Sequence, residues 1–366
     1  MGHWRKQMIS ILVSARCDLN CGYCYVPKIG KVKPEHKVID VEFAVLGMKD
    51  YFKTNLSNTI RFFSSGEPTT AFDVMNEIHK NAQKLKSDKL KVELQTNGTF
   101  PDEVAEWIEK NVDVLWISCD GPPYIQDKQR PLLEGNGSTS RLVLQNIERF
   151  VKCSHMQFGV RATIQDDFTK QVELVEYFHS LGIKYVCAAP AYSSTANPSV
   201  AAPFLLDFAQ HFVPAFFRAK ELGMFFQTHL MVNFDEEVNI YCRACIPSPH
   251  LTTDGYVSCC DWALFGPEYL PGPLQQLVYG KFDKPNHRII YDKERILLIQ
   301  QRDIQKLGQN ACKGCKALLN CAGGCIGKTI VRSGNLYLPS KEWCTAVNYL
   351  YKKLPINKGL FPCFHS

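Results

Sequence analysis

Residues 8–24 read Met-Ile-Ser-Ile-Leu-Val-Ser-Ala-Arg-Cys-Asp-Leu-Asn-Cys-Gly-Tyr-Cys, an apolar run followed directly by three closely spaced cysteines. The run at 8–13 is rich in branched residues, which is typical of a buried strand. Cys17, Cys21 and Cys24 therefore share one loop at the end of the first strand. Soft thiolates at short spacing favour an iron–sulfur cluster, and three of them leave one iron of a [4Fe–4S] cluster open. A structural zinc loop is the alternative for the three cysteines alone.

The composition is that of a globular protein. Of 366 residues, 45% are hydrophobic and 21% are charged, which excludes disordered and fibrous classes. The net charge of +6 is mild, so it predicts neither a nucleic-acid partner nor binding to an anionic membrane. No apolar run is long enough to span a bilayer and no secretion signal is present, so we expect a soluble, cytoplasmic protein. In a reducing compartment, 16 cysteines indicate metal binding rather than disulfides.

Helical and strand patterns alternate after the cysteine loop. The predicted strands are 59–63, 90–95, 114–118, 157–164 and 185–189, and the predicted helices are 41–53, 73–85, 101–111, 138–153, 170–181 and 202–222. Together with the first strand, these make six strand–helix units. Such units predict a parallel sheet with right-handed crossovers, either an open doubly wound sheet or an incomplete barrel. In both folds, ligands bind at the carboxyl ends of the strands.

The pattern changes near residue 235, and ten of the 16 cysteines lie between residues 242 and 363. Here we predict a smaller, loop-rich domain that is stabilised by metal rather than by a large apolar core. Paired Cys-x-x-Cys motifs are also typical of zinc knuckles, which are the alternative to iron–sulfur clusters. The predicted domains are 1–232 and 233–350, followed by a C-terminal tail at 351–366.

Three short motifs lie at the ends of predicted strands: Gly66-Glu67-Pro68, Thr96-Asn97-Gly98 and Ser118-Cys119-Asp120-Gly121-Pro122. Together with the cysteine triad, they resemble the motifs of the radical SAM superfamily and occur in the order found there. The resemblance implies a partial (β/α)6 TIM-type barrel in which Cys17, Cys21 and Cys24 bind a [4Fe–4S] cluster, and S-adenosylmethionine (SAM) binds beside it. The Gly-Glu-Pro segment would contact the SAM amino group, and Arg161 would lie near its carboxylate. The implied cofactor-binding residues are Tyr23, Gly66, Glu67, Pro68, Thr96, Asn97, Ser118, Asp120 and Arg161.

The C-terminal cysteines resemble the SPASM domain, an extension of radical SAM enzymes that binds auxiliary iron–sulfur clusters. The resemblance implies two auxiliary [4Fe–4S] clusters, which makes three clusters in all. The first would be bound by Cys242, Cys245, Cys260 and Cys325, and the second by Cys312, Cys315, Cys321 and Cys344. Cys259 is the alternative to Cys260 as a ligand. We expect the five cysteines that remain after this assignment to be ordinary thiols: Cys119, Cys153, Cys187, Cys259 and Cys363.

This resemblance implies an activity. The chain would reductively cleave SAM to a 5′-deoxyadenosyl radical that abstracts hydrogen from a peptide or protein, giving an oxidative modification such as a cross-link, a thioether or a side-chain oxidation. Asp261 resembles the aspartate that serves as a base in anaerobic sulfatase-maturating relatives, with a surface aspartate as the alternative. The alternative functions are a radical SAM enzyme acting on a sugar or nucleotide, and a zinc-stabilised binding protein without catalysis.

The expected partners follow from the same resemblance. They are a peptide or protein substrate and a flavodoxin- or ferredoxin-type electron donor. Because the strand pattern starts within ten residues of the N-terminus, any leader recognition would come from a separate protein.

Overall fold

The structure is a computed structural model and describes residues 7–26, 32–54, 57–86, 90–135, 137–165, 167–191 and 198–356. The strands are β1 (Ile9–Leu12), β2 (Thr59–Phe63), β3 (Lys91–Thr96), β4 (Val114–Ser118), β5 (Gln157–Ile164), β6 (Tyr185–Pro190), β7 (Phe225–Gln227), β8 (His250–Leu251), β9 (Tyr256–Ser258), β10 (Val278–Asp283) and β11 (Arg288–Tyr291). The helices are α1 (Val41–Thr54), α2 (Phe72–Lys86), α3 (Asp102–Asn111), α4 (Pro123–Gln129), α5 (Thr139–Val151), α6 (Gln171–Ser180), α7 (Pro198–Glu221), α8 (Lys293–Gln300), α9 (Ile304–Gln309), α10 (Leu318–Cys321), α11 (Ile326–Ser333) and α12 (Lys341–Lys353).

Strands β1 to β7 are parallel, and at least one helix follows each of the first six. This confirms the α/β class and the six strand–helix units. A doubly wound sheet reverses its strand order at a switch point. Here each of these strands pairs with its successor along the chain. The sheet therefore has the partial (β/α)6 TIM-type arrangement.

Strand β1 lies inside the sheet, and all four of its residues are buried. It pairs in parallel with β2 on one side and with β8 on the other. Ser10 is in register with Arg61 of β2 and with His250 of β8. Residues in register on parallel strands point to the same face of a sheet. Arg61 and His250 are therefore brought to the same side, although they come from distant parts of the sequence.

The helices cover the sheet with one apolar face each, as α5 illustrates. The Ser138 side chain accepts a hydrogen bond from the backbone N–H of Arg141, which caps the helix. Val143, Ile147 and Phe150 are buried, and their spacing of four and three residues places them on one face. The apolar periodicity of the sequence thus fixes which side of the helix packs inward.

The sheet continues across the domain boundary that we predicted at residues 232 and 233. Strand β8 pairs with β1, and β9 to β11 extend the sheet in antiparallel fashion. Helix α12 packs against α7 of the barrel. Apolar residues of this region, such as Leu277 and Trp343, are buried in the same core as the barrel residues. The C-terminal region therefore has a larger apolar core than its sequence indicated. The domain boundary between residues 232 and 233 stays a prediction.

A few element bounds differ from the sequence-based expectations. Helix α7 begins at Pro198 rather than at residue 202, because a proline at the first helical position loses no intrahelical hydrogen bond. Helix α12 extends three residues into the predicted tail. Residues 192–197 and Cys363 lie outside the described residues. Within the described chain, no helix combines the length and apolarity needed to cross a bilayer.

Candidate active site

The cysteine triad lies in the loop after β1, at the carboxyl end of the parallel strands. The loop is fixed by backbone hydrogen bonds, among them Gly22 N–H to the Gln129 carbonyl at 3.1 Å and Cys24 N–H to the Cys21 carbonyl at 3.0 Å. Burial raises the pKa of Cys17 to about 12 and that of Cys21 to about 11. These thiols are therefore protonated without a metal, and binding of iron would release their protons.

The Gly-Glu-Pro segment packs directly under this loop. The Gly66 N–H donates to the Ser14 carbonyl at 3.0 Å, and the Glu67 N–H donates to the Arg16 carbonyl at 2.7 Å. A Cβ atom on Gly66 would lie 2.0 Å from the Arg16 carbonyl oxygen, so only glycine fits there. The segment thus positions the chain immediately before Cys17.

The Glu67 carboxylate binds two other predicted site residues, Thr96 and Asn97. It is 2% exposed, and it accepts hydrogen bonds from the Thr96 hydroxyl at 2.7 Å and from the Asn97 N–H at 2.6 Å. The Asn97 amide in turn donates to Asp18 in the cysteine loop at 2.7 Å. Burial raises the pKa of Glu67 to about 7 despite these donors. Glu67, Thr96 and Asn97 therefore connect the end of β3 to the cysteine loop through hydrogen bonds.

Asp120 anchors the loop from the end of β4. Its Oδ2 accepts a hydrogen bond from the Tyr23 hydroxyl at 2.7 Å and one from Arg130 Nε at 3.0 Å. Its Oδ1 accepts from the Thr163 N–H at 2.8 Å. The Arg130 guanidinium also lies over the Tyr23 ring, 5.3 Å from its centroid. The structure thus brings Tyr23 and Asp120 together, and Arg130 joins them as a third member of this group.

Arg161 lies in a polar row inside the barrel. One of its Nη atoms donates to Gln95 Oε1 at 3.0 Å, and the other is 3.2 Å from His229 Nε2. Because a guanidinium only donates, Nε2 of His229 is the acceptor and His229 is neutral. Burial lowers the pKa of His229 well below its usual range, and the nearby Lys328 and Arg161 charges lower it further. His229 was not predicted from the sequence, where a lone histidine gives no signal.

Asp261 is bound by two residues that the sequence analysis did not predict. Arg61 Nη1 donates to both carboxylate oxygens, at 2.9 and 3.1 Å, and His250 Nε2 lies 2.8 Å from Oδ1. Burial acts to raise the pKa of Asp261, but the Arg61 charge and the His250 hydrogen bond hold it well below its usual range. Asp261 is therefore a carboxylate, not a freely solvated surface side chain. A charge inside the apolar run Thr-Ile-Arg-Phe-Phe was the available signal for Arg61.

A cavity of about 270 Å³ joins the barrel mouth to the C-terminal region. On the barrel side, Tyr23, Ser118 and Arg161 line it. The C-terminal region contributes Asp261 and several thiols, namely Cys242, Cys259, Cys260 and Cys325. Glu67, Thr96 and Asn97 are not part of its lining. The cavity thus places predicted SAM-binding residues opposite the first predicted auxiliary ligands.

The C-terminal cysteines lie in two clusters of neighbouring thiols, and which of them bind a metal stays a prediction. In the first, burial raises the pKa of Cys260 well above its usual range, and the neighbouring thiols Cys325, Cys259 and Cys242 raise it further. The pKa of Cys259 is raised in the same way by burial, then by Cys245 and Cys242. Five thiols therefore surround this first site, and the choice between Cys259 and Cys260 stays open.

The second group combines cysteines from α10, from α12 and from the segment between α9 and α10. Burial raises the pKa of Cys344 to about 11, and the nearby Cys312 and Cys315 contribute to the rise. Cys321 neighbours the same three thiols, and burial raises its pKa to about 12. The four cysteines that the SPASM resemblance implied thus lie together.

In the described part of the chain, no three Cys, His, Asp or Glu side chains are arranged as ligands of a single metal ion. Four thiolates suit either a tetrahedral zinc ion or a [4Fe–4S] cluster. The assignment of clusters to the C-terminal thiols therefore stays a prediction.

The remaining described cysteines lie apart from these groups. Cys119 is buried behind β4 and Cys153 lies near Glu109 on the outside of the barrel. Cys187 differs, because it lines the cavity and is in register with Arg161.

Comparison with known proteins agrees with this arrangement. Residues 11–156 match the family model of the Radical SAM superfamily. An uncharacterized protein from Methanocaldococcus jannaschii is 31% identical over 179 residues, which cover 48% of this chain and 59% of the relative. A cysteine-type anaerobic sulfatase-maturating enzyme from Clostridium novyi is 21% identical over 201 residues, which cover 53% of each protein. The chain thus spans between half and three fifths of these relatives.

Solved structures share the fold over nearly the whole chain. Native anSMEcpe with bound AdoMet has a TM-score of 0.69 at 18% identity, with 94% of this chain and 96% of that protein covered. The same protein has been solved with AdoMet and the Kp18Cys peptide. Streptococcus suis SuiB bound to precursor peptide SuiA has a TM-score of 0.60 at 17% identity, with 92% and 75% covered. At these identities the likeness shows the fold alone.

Proposed function

We propose that this chain is a radical SAM maturase that oxidatively modifies a peptide or protein, since residues 11–156 match the Radical SAM superfamily model. The observation that carries the proposal is the shared cavity. Ser118 and Arg161 face it from the barrel, and Cys260 and Cys325 face it from the C-terminal region. A substrate in this cavity would lie between the two candidate cluster sites.

The proposal assigns the cofactors to the thiols. Cys17, Cys21 and Cys24 would hold the cluster that binds SAM, and the two C-terminal groups would hold the auxiliary clusters. When bound, the first cluster and SAM supply the one-electron chemistry that removes hydrogen from an unactivated C–H bond. The protein supplies orientation and exclusion of water. Arg161 offers its guanidinium at the cavity wall for the carboxylate of SAM.

An oxidation that removes two hydrogen atoms also needs a proton acceptor, and Asp261 is the candidate. It is ionised and lines the cavity, so a proton can reach it. Its low pKa makes it a weak base on its own. His250 Nδ1 lies 3.0 Å from the Ser248 carbonyl, which only accepts, so Nδ1 carries a proton. For the 2.8 Å contact between His250 Nε2 and Asp261 Oδ1 to be a hydrogen bond, a second proton must lie between these two atoms. The role of Asp261 as base therefore stays a prediction.

The substrate class is inferred from the relatives. Peptides accompany the structures of anSMEcpe and SuiB, and the Clostridium novyi relative is named as a sulfatase-maturating enzyme. A flavodoxin- or ferredoxin-type protein would supply the electron.

The test uses the anaerobically reconstituted full chain with SAM and a chemical reductant. One pool of synthetic peptides has cysteine or serine at its centre, and a second pool contains sugars and nucleotides. We expect 5′-deoxyadenosine and a peptide that has lost two hydrogen atoms, and neither product from a Cys17/Cys21/Cys24→Ala variant. Turnover of the sugar and nucleotide pool alone would favour the small-molecule alternative and overturn the proposal.

A further inference from the structure

Arg302 is a fully buried arginine, two residues after the end of α8. Its donors are used by backbone carbonyls. Nε donates to the Leu336 oxygen at 2.7 Å, and Nη2 donates to the Gly323 oxygen at 2.7 Å. Nη1 donates to the Ala322 oxygen at 3.3 Å. These bonds satisfy the hydrogen-bonding groups but supply no negative charge.

A buried cation without a counter-charge is strongly unfavourable, because burial removes it from water. In the part of the chain that the structure describes, no carboxylate forms an ion pair with Arg302. The guanidinium therefore needs another source of negative charge nearby. Thiolates bound to iron carry such a charge, whereas protonated thiols do not.

A candidate ligand thiol lies within hydrogen-bonding distance of the Arg302 guanidinium. Arg302 Nη1 donates to the Cys245 sulfur at 3.9 Å. Cys245 belongs to the first auxiliary group. The guanidinium also donates to the carbonyls of Ala322 and Gly323, which directly follow Cys321 of the second group. The guanidinium thus lies between the two groups.

Arg302 also holds the segment that connects the groups. Cys321 of the second group and Cys325 of the first are separated by Ala322, Gly323 and Gly324, whose φ angles are 42°, 76° and 73°. Three successive residues in the left-handed region require a specific stabilising contact. The carbonyls of the first two accept from Arg302, so the guanidinium fixes the turn between the two ligands.

We propose that Arg302 is a positioning residue that raises the reduction potential of the first auxiliary cluster, through its charge and its N–H donor to the Cys245 sulfur. This inference rests on the proposed function, since it requires that the cluster be present. Hydrogen bonds to cluster sulfurs and nearby positive charge both stabilise the reduced, more negative state. The consequence is that the first auxiliary cluster accepts an electron more readily than it would beside a neutral side chain.

The test is a redox titration followed by electron paramagnetic resonance. It uses the Cys17/Cys21/Cys24→Ala background, so that only the auxiliary clusters contribute to the electron paramagnetic resonance signal. Arg302→Gln removes the charge, and Arg302→Lys keeps it. We expect Arg302→Gln to change the reduction equilibrium of one cluster about tenfold towards the oxidised state, about 59 mV for one electron. Arg302→Lys should give a smaller shift in the same cluster.

Arg149→Gln is the matched control, because Arg149 pairs with Glu109 on the outside of the barrel and should leave both potentials unchanged. Iron loss in Arg302→Gln, with retention in Arg302→Lys, also supports the inference, since it shows that the charge is needed. An unchanged potential in a fully loaded Arg302→Gln variant overturns it and leaves the proposed function intact. Iron loss in both variants overturns it in favour of a purely structural role. A parent protein without auxiliary iron overturns both.

Discussion

Arg61 of β2 binds both carboxylate oxygens of Asp261, which lies 200 residues further along the chain, at 2.9 and 3.1 Å. The pair connects the barrel interior to the region that carries the auxiliary cysteines. Arg61 is fully buried, and it also donates to Gln95 at 2.9 Å, which in turn accepts from Arg161. One continuous polar row thus runs from the predicted SAM carboxylate site to the residue after Cys260.

Replacing Arg61 tests whether this pair stabilises the fold. Arg61→Met leaves the Asp261 carboxylate inside the protein without its main partner. Breaking a buried ion pair costs about 3–5 kcal/mol, and the Asp261 side chain is 29% exposed towards the cavity, so we expect a loss of about 2–3 kcal/mol. Denaturant unfolding measures the loss. The double variant Arg61→Met/Asp261→Asn should recover part of it, and equal losses in the single and double variants would count against the pairing.

Asp261→Asn separates hydrogen abstraction from product formation. If Asp261 accepts the proton, the variant still cleaves SAM but forms modified peptide about 10²–10⁴-fold more slowly. The measurement is the ratio of modified peptide to 5′-deoxyadenosine. A ratio equal to that of the unmodified enzyme would assign Asp261 a structural role through Arg61 and His250 only.

Gly66→Ala tests how the Gly-Glu-Pro segment supports the cysteine loop. The new Cβ would clash with the Arg16 carbonyl oxygen, which is backbone and cannot move away without shifting Cys17. We expect the variant to lose about four iron atoms per chain, the content of one cluster, and to keep the auxiliary clusters. Gly272→Ala is the control, because nothing lies within 4 Å of its Cβ position. Full iron content in Gly66→Ala would contradict the described packing.

Glu67 gives a pH-dependent prediction. Its pKa is raised from 4.5 to about 7, so the folded state favours the protonated form. The stabilisation from this preference is present below pH 4.5 and is lost as the pH rises to 7 and above, by about 3 kcal/mol. Glu67→Gln cannot ionise. In the Cys17/Cys21/Cys24→Ala background, the free energy of unfolding of the Glu67→Gln variant should therefore rise relative to that of its parent as the pH increases from 5 to 8. A constant difference in melting temperature would show that Glu67 is ionised throughout.

Much of the fold could be predicted because its signals are local. Apolar periodicity predicted the six strand–helix units, whereas the two C-terminal cysteine groups were implied by the resemblance to the SPASM domain. The strand–helix units alone do not determine the strand order, so they are also compatible with a doubly wound sheet. The pairing of each parallel strand with its successor excludes that alternative.

The residues that were missed depend on long-range register. Arg61 and His250 meet Asp261 because both flank Ser10 in the sheet, and nothing in their local sequence indicates that β8 pairs with β1. Arg302 could not be predicted for the same reason, since its partners are carbonyls of a turn formed only when the two cysteine groups assemble.

We propose that the chain holds three [4Fe–4S] clusters, one of them on the triad of Cys17, Cys21 and Cys24. The most direct measurement is the content of iron and acid-labile sulfide per chain, after purification and reconstitution without oxygen. The account predicts about 12 iron and about 12 sulfide, falling to about 8 of each in the Cys17/Cys21/Cys24→Ala variant. One or two zinc ions per chain, with no sulfide and no charge-transfer absorption, would contradict it.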